Sequence, residues 1–227
     1  MGFGYWELEI LNMKNSLKNK KVLITAGPTW VPLDDVRVIS NVSSGALGLL
    51  LAKFAEDAGA RVDLFLGPVG SIDYCGRTRV TPFKYFNDFI ALISRELKKT
   101  QYDVILHCAA VSDYVVKRAP GKIGSKKKNF VLNLKQTPKV IDKIRRLNPK
   151  AFLVMFKLES GISVLALKTR ALNAMKAHHA DLVVGNMFGP RGYLGFVMDK
   201  KNVLAKAHSR AEMARKLIRC LEKMVSL

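Results

Sequence analysis

Cysteine is scarce: the 227 residues hold three, Cys75, Cys108 and Cys220, far apart and without a C-x-x-C pair. That excludes a disulfide-stapled scaffold and implies free thiols in a reducing compartment, so a cytoplasmic location is expected. The four histidines stand at no metal-ligand spacing, and no Ser/His/Asp nucleophile arrangement is legible. No apolar run has the length that a bilayer span needs, so no membrane partner is expected. The first eleven residues carry acidic side chains where a signal peptide carries basic ones, and no small-residue cleavage site. Acidic residues are the other shortage. Eighteen Asp and Glu face 38 Lys and Arg, a formal net charge of +20. Such an excess implies an anionic partner, polymeric or small.

Twelve of the basic residues fall between Lys117 and Lys150, against Asp142 alone. Nucleic-acid binding would interleave aromatics with such a cluster. Phe130 is the only aromatic there, so no nucleic-acid partner is expected. Hydrophobic residues make up 49% and charged residues 25% of the chain, ordinary values for a globular domain. Apolar runs alternate with helical periodicity. Val22–Thr25, Val62–Leu66, Val104–Leu106, Phe130–Leu134, Phe152–Phe156, Leu182–Val184 and Phe196–Met198 read as strands. Between them, Leu47–Ala58, Phe86–Leu97, a helix opened by Thr137-Pro138, one around Ala171–Lys176 and one over Ala214–Val225 read as helices. The pattern predicts an α/β fold: a Rossmann-like open, mostly parallel sheet with helices on both faces. Residues 1–19 lie outside it as an N-terminal extension, and 20–227 form one domain. Ligands of such sheets bind at the carboxyl ends of the strands.

Three segments there carry candidate chemistry. Ser43-Ser44-Gly45-Ala46-Leu47-Gly48 opens the first helix. Its glycines allow close backbone approach, its N-terminus offers unpaired N–H groups to an anion, and its serines are placed to cap it. The long loop before it holds Gly27, Arg37 and Asn41, whose amide can donate to a carbonyl or phosphoryl oxygen. Ala109-Ala110-Val111-Ser112-Asp113 ends a strand with room for a flat base, and Lys122 follows beside Gly121 as a mobile cation. A nicotinamide-dependent oxidoreductase shares the fold class and the glycine loop. It needs a charged ribose reader after the second strand, where Gly67-Pro68 offers none.

Read together and in order, Ile24-Thr25-Ala26-Gly27-Pro28-Thr29, Val36-Arg37, Ile39-Ser40-Asn41-Val42-Ser43-Ser44-Gly45, Ala109-Ala110-Val111-Ser112-Asp113-Tyr114, Lys122-Ile123 and Thr137-Pro138-Lys139 resemble phosphopantothenate–cysteine ligase. The likeness runs from about Lys20 to the C-terminus and implies a stand-alone ligase lacking the flavin-dependent decarboxylase domain. It also implies a step of coenzyme A biosynthesis. The carboxylate of 4′-phosphopantothenate is activated by ATP or CTP with Mg²⁺ to an acyl-nucleotidylate, pyrophosphate leaves, and L-cysteine supplies the amine. By the same resemblance Asn41 and Arg37 contact the pantothenoyl substrate. Gly27, Ser43, Gly45, Gly48, Ala109, Ala110, Asp113, Pro138, Phe156 and Asn186 bind the nucleotide, and Lys122 meets its triphosphate. No metal ligands are assigned. Residues Ser125 to Leu134 match a flap and strand used at a dimer contact, so a homodimer is expected. Trp30-Val31, Ala46-Leu47 and Gly124 depart from the family's usual residues.

Overall fold

A computed structural model of the chain describes residues 17–70, 76–125, 129–189 and 192–225. Six strands run parallel: β1 (Lys21–Ala26), β4 (Arg61–Leu66), β5 (Arg79–Pro82), β6 (Val104–His107), β9 (Phe152–Glu159) and β10 (Leu182–Gly189). Two antiparallel strands, β11 (Gly192–Met198) and β12 (Val203–Ala207), extend the sheet. The spatial order is β12-β11-β10-β9-β6-β1-β4-β5. The chain therefore builds outward from β1 through β4 to β5. It then restarts at β6 on the other side of β1, which is the reversal that opens a ligand crevice in doubly wound sheets.

Strand residues alternate between two cores because successive side chains point to opposite faces. Val22, Ile24, Leu64, Leu106 and Val184 pack under α1 (Ala46–Asp57) and α5 (Arg210–Val225). Leu23, Phe65, Ile105, Leu153 and Val183 pack under α2 (Phe86–Lys99), α3 (Val140–Leu147) and α4 (Val164–Ala177). This is the expected α/β architecture with helices on both faces. Leu17 is fully buried in the first core, and its N–H donates to Ala58 O at 2.9 Å. No helix among the described residues is long and apolar enough to cross a membrane.

Several local expectations are corrected. Residues 130–133 form no strand. The chain pairs only at β8 (Leu134–Gln136), antiparallel to β7 (Tyr114–Val116), in a small sheet outside the main one. A second such sheet pairs β2 (Trp30–Pro32) with β3 (Val38–Ser40). Pro138 does not occupy the first turn of α3, since Lys139 is its N-cap residue. Neither Ser43 nor Ser44 caps α1. The N-cap is Gly45 at φ 70°, with no side-chain cap, a backbone state that glycine adopts without the Cβ penalty. The helix around Ala171 begins earlier, at Val164, where the Ser163 hydroxyl accepts from Ala166 N–H. Residues 1–16, Cys75 and Lys126–Lys128 lie outside the described residues.

Candidate functional site

The carboxyl ends of β1 and β6 are locked together by a knot of short polar side chains. Thr29 Oγ1 accepts from Ser112 N–H at 2.9 Å and donates to Ser112 Oγ, which donates in turn to Thr29 O, both at 3.1 Å. Thr137 Oγ1 donates to Ser112 O at 2.8 Å. All three residues are buried, so these bonds answer polar groups that water cannot reach. They tie the Gly-Pro-Thr, Ala-Val-Ser-Asp and Thr-Pro segments into one platform. Gly27 sits under it at φ 77°, its carbonyl accepting from Ala110 N–H at 2.9 Å. A Cβ on Gly67 would lie 2.1 Å from Pro28 O. The end of β4 is thereby packed closely against the segment that follows β1.

Two cavities open on either side of this platform. The larger, about 560 Å³, lies on the α1/α5 face and is lined by Asn41, Ser43, Gly45, Gly48, Ala109, Ala110, Asp113, Phe156 and Asn186, with Lys157, Phe188, Tyr193 and Arg210. The smaller, about 180 Å³, lies toward α3 and α4 and takes in His107, Pro138, Lys139, Ala174 and His178. Ala109, Val111, Asp113, Phe156 and Lys157 line both. Nine of the residues proposed from sequence thus converge on the larger cavity, and Pro138 on the adjoining one. Gly48 serves close packing as well, because a Cβ there would fall 2.3 Å from Ala26 Cβ.

A family model, the DNA/pantothenate metabolism flavoprotein C-terminal domain, matches residues 17–223. The chain belongs to that family. The domain is 40% identical over 172 residues to the coenzyme A biosynthesis bifunctional protein CoaBC of Thermococcus kodakarensis, covering 75% of this chain and 42% of that protein. The chain spans between about two-fifths and three-fifths of the length of the first curated relatives it matches. Among solved structures, the DNA/pantothenate metabolism flavoprotein from Streptococcus pneumoniae superposes with a TM-score of 0.78 at 24% identity, covering 90% of this chain and 99% of that one. A Cab2 mutant in complex with phosphopantothenate-cysteine superposes at 0.74 with 20% identity, over 99% of this chain and 96% of that one.

Three of the expected site residues have surroundings that the sequence did not reveal. The Arg37 guanidinium is held by Asp34 and by the carbonyl of Ile123 at 2.7 Å, so it braces a turn. Arg37, together with N–H groups of Ile123, Val36 and Arg37 itself, holds the buried Asp34 carboxylate well below its usual pKa. Lys122 lines neither cavity and is exposed on the same turn, between Gly121 and Ile123, whose N–H groups bond to Asp35 and Asp34. Asp113 pairs with Lys139 at 2.6 Å. The basic stretch is not gathered over the cavities. Among its described residues only Lys139 lines either one, while Arg118 and Arg145 pair with Asp35 and Asp181.

His107, Phe188, Tyr193 and Arg210 went unnoticed in the sequence. Burial holds the His107 imidazole neutral, its pKa pushed down to about 4, with Nδ1 2.9 Å from Thr25 Oγ1. The Cys108 thiol is pushed up to about 12 by burial, too protonated to act as a nucleophile. Phe188 and Tyr193 face each other across the β10–β11 ladder. Only the hairpin pairing, which two separated apolar runs do not display, puts them on the face that carries Asn186.

Proposed function

We propose that this chain ligates 4′-phosphopantothenate and L-cysteine in coenzyme A biosynthesis, using a nucleoside triphosphate. The observation that carries the reading is the pair of cavities joined across the strand-order reversal, with the α1 N-terminus at one and Phe156 and Asp113 shared by both. The names of the relatives point the same way. CoaBC is a coenzyme A biosynthesis protein, and the Cab2 mutant holds phosphopantothenate-cysteine.

In this reading a carboxylate oxygen of the substrate attacks the α-phosphorus, pyrophosphate leaves, and an acyl-nucleotidylate forms. Cysteine's amine then attacks the acyl carbon, the nucleoside monophosphate leaves, and the amine gives up a proton. The chain's contribution is preorganised polarity. The N–H groups of Leu47 and Gly48 in the first turn of α1 face phosphate oxygens, Ser43 adds a hydroxyl, and Asn41, its Nδ2 spent on main-chain carbonyls, offers its oxygen to the incoming amine. Ala109 and Ala110 leave room for the nucleoside, and Phe156 supplies an apolar surface for it. A Mg²⁺ ion, if required, would supply charge neutralisation on the nucleotide's phosphates and would need few protein ligands. Among the described residues no three His, Cys, Asp or Glu converge to hold a cation. The Asn186 Oδ1, buried and unpartnered on the cavity, is an oxygen suited to a hydrated cation or a ligand hydroxyl.

A homodimer belongs to the same proposal. Val36, Val38, Ile39, Tyr114, Phe130, Val131 and Leu134 are exposed apolar residues on and around the two small sheets, a concentration that suits a protein contact. The deciding assay is pyrophosphate release that requires both 4′-phosphopantothenate and nucleotide, with amide product requiring cysteine. Release without the pantothenate substrate, or product without nucleotide, overturns the reading.

A further inference from the structure

We infer that Arg210, seated on the ring of Phe188 at the start of α5, is a phosphate-binding cation that meets the nucleotide's polyphosphate from the side opposite the α1 loop. The inference rests on the ligase reading for the identity of the ligand, but its geometry is independent of that reading.

α1 and α5 lie on the same face of the sheet and pack against each other. β12, which precedes α5, is antiparallel to β11 and so runs the same way as β1 and β10. Both helices therefore begin at the carboxyl edge of the sheet. Their N-terminal residues, Gly45 and Arg210, line one cavity. The α5 end is capped by the Ser209 hydroxyl and carries Glu212 in its first turn, so the positive charge it brings to this space is the Arg210 side chain, opposite the α1 N-terminus.

The side chains around Arg210 strengthen the case. Its guanidinium carbon lies 4.7 Å from the centroid of Phe188, whose ring meets Tyr193 edge-on at 5.4 Å. A guanidinium stacked on a ring is positioned without neutralisation. The other basic residue lining the cavity, Lys157, is paired with Glu159 at 3.3 Å, whereas among the described residues Arg210 has no carboxylate partner. Glu212, in the same helical turn, is engaged by the N–H of His208 at 2.7 Å and by Lys216 at 2.6 Å.

A second observation points to a ligand. Among the described residues, Asn186 Oδ1 and Tyr193 Oη are buried without a hydrogen-bond partner, each residue is only 7% exposed, and both line this cavity. Native structures leave few such groups unanswered unless something binds there. Beside the unneutralised guanidinium, the Tyr193 hydroxyl can donate to a phosphoryl oxygen, while Asn186 Oδ1, an acceptor, can take a hydrogen bond from a ligand hydroxyl or from water on the polyphosphate. Phe188 is a positioning residue here, acting through Arg210.

The test measures calorimetric binding of ATP, inorganic tripolyphosphate and adenosine to the whole chain and to the Arg210→Gln, Arg210→Lys and Phe188→Leu variants. Arg210 is exposed, so its replacement leaves the core intact. Arg210→Gln is expected to weaken ATP and tripolyphosphate at least tenfold and to flatten the salt dependence of both, with adenosine unchanged. Arg210→Lys keeps the charge and recovers most of the loss, and Phe188→Leu weakens tripolyphosphate about threefold. If wild type binds ATP and Arg210→Gln matches it in affinity and salt dependence, the inference is overturned while the ligase reading stands. If wild type binds neither ATP nor tripolyphosphate, the inference is overturned, and the ligase reading is decided by its own pyrophosphate-release assay with ATP and CTP. If Arg210→Gln binds tripolyphosphate more weakly but pyrophosphate release never depends on 4′-phosphopantothenate, the cation site holds and the ligase reading fails.

Discussion

Asn41 is bolted to the main chain of the Ala-Ala-Val segment: its Nδ2 donates to the carbonyl oxygens of Ala110 and Val111, each at 3.1 Å. Both hydrogens of the amide are engaged, so the group left for a ligand is its oxygen. That oxygen accepts hydrogen bonds, which suits the N–H of an incoming amine better than a phosphate. We expect Asn41→Ala to slow cysteine-dependent amide formation at least tenfold, and more than it slows pyrophosphate exchange. The bonds are exposed and water replaces them, so unfolding free energy should fall by only about 1 kcal/mol. Equal losses in the two half-reactions would reduce Asn41 to an anchor for the 41–45 loop.

Gly48 gives a stability prediction separable from chemistry. A methyl at this position collides with Ala26 Cβ, and both residues are buried where α1 crosses β1. Gly48→Ala must push the helix outward, at a cost of about 1–3 kcal/mol for overpacking, and urea denaturation would show the loss. Because Gly45 caps α1 and Ser43 lies just before it, nucleotide affinity should fall with it. An unchanged midpoint would mean that the helix start is not held as tightly as the close contact implies.

The parts that could be read from sequence are those where burial leaves a pattern. β1, β4 and β6 are covered on both faces, so they appear as short apolar runs, and α1, α2 and α5 show the helical period of their buried stripes. β2, β3, β7 and β8 are three residues each, and most of their side chains are not buried. With no core to face, they leave no pattern. Phe130, Val131 and Leu134 misled for the converse reason, being apolar but exposed. In the site, residues on motif loops were legible because glycine and small residues there have a backbone reason. Phe188, Tyr193 and Arg210 were not, since three separate elements bring them together. Arg37 was legible as a cation but not as a brace, because its partner Asp34 becomes buried only through the turn.

His107 sets an acid limit on stability. Its folded-state pKa of about 4 lies below the ordinary 6.5, chiefly through burial and secondarily through the nearby His178. Above pH 6.5 neither state binds the proton, so the group contributes nothing. As pH falls from 6.5 toward 4 the unfolded chain takes up a proton that the folded chain refuses, and stability drops, by about 3 kcal/mol in full. Urea denaturation at pH 7 and pH 4.5 should show a larger loss in wild type than in His107→Asn, which cannot titrate. Parallel pH profiles would mean the imidazole protonates in place.

Lys122 tests whether a residue outside both cavities reaches the reaction. The loop is fastened on either side, by Gly121 to Asp35 and by Ile123 to Asp34, while the Lys122 side chain is exposed between them. To reach a triphosphate in the larger cavity, the Lys122 cation would have to swing over from this fixed stem. Lys122→Gln should lower kcat about a hundredfold, the scale of one electrostatic stabiliser, with the thermal midpoint unchanged. Full turnover in the folded variant would remove Lys122 from the site.

We expect nucleotide choice to turn on the smaller cavity. By the resemblance to phosphopantothenate–cysteine ligases, the CTP-using bacterial members carry lysines where this chain has Ala174 and His178, and Phe156-Lys157-Leu158-Glu159 follows the stand-alone eukaryotic members that accept ATP. Both positions line the cavity next to Phe156 and Pro138. Ala174 brings no charge there, and His178 Nδ1 lies 2.7 Å from Asp142, so its ring is oriented by a carboxylate. Lys157, which also lines the cavity, is drawn toward Glu159. Lys139, the other lysine on this cavity, is paired with Asp113, so among the described residues each lysine lining it has a carboxylate partner, and the walls of Ile141, Met155 and Phe156 suit the larger apolar faces of a purine. We expect ATP to be used at least as well as CTP, and Ala174→Lys to shift the ratio toward CTP. A tenfold change in that ratio corresponds to about 1.4 kcal/mol of transition-state binding, which one hydrogen bond to a base can supply. The ratio of kcat/KM for the two nucleotides, measured side by side on wild type and variant, decides it. A tenfold advantage for CTP in wild type would show that another group reads the base, with Lys157 the first to replace.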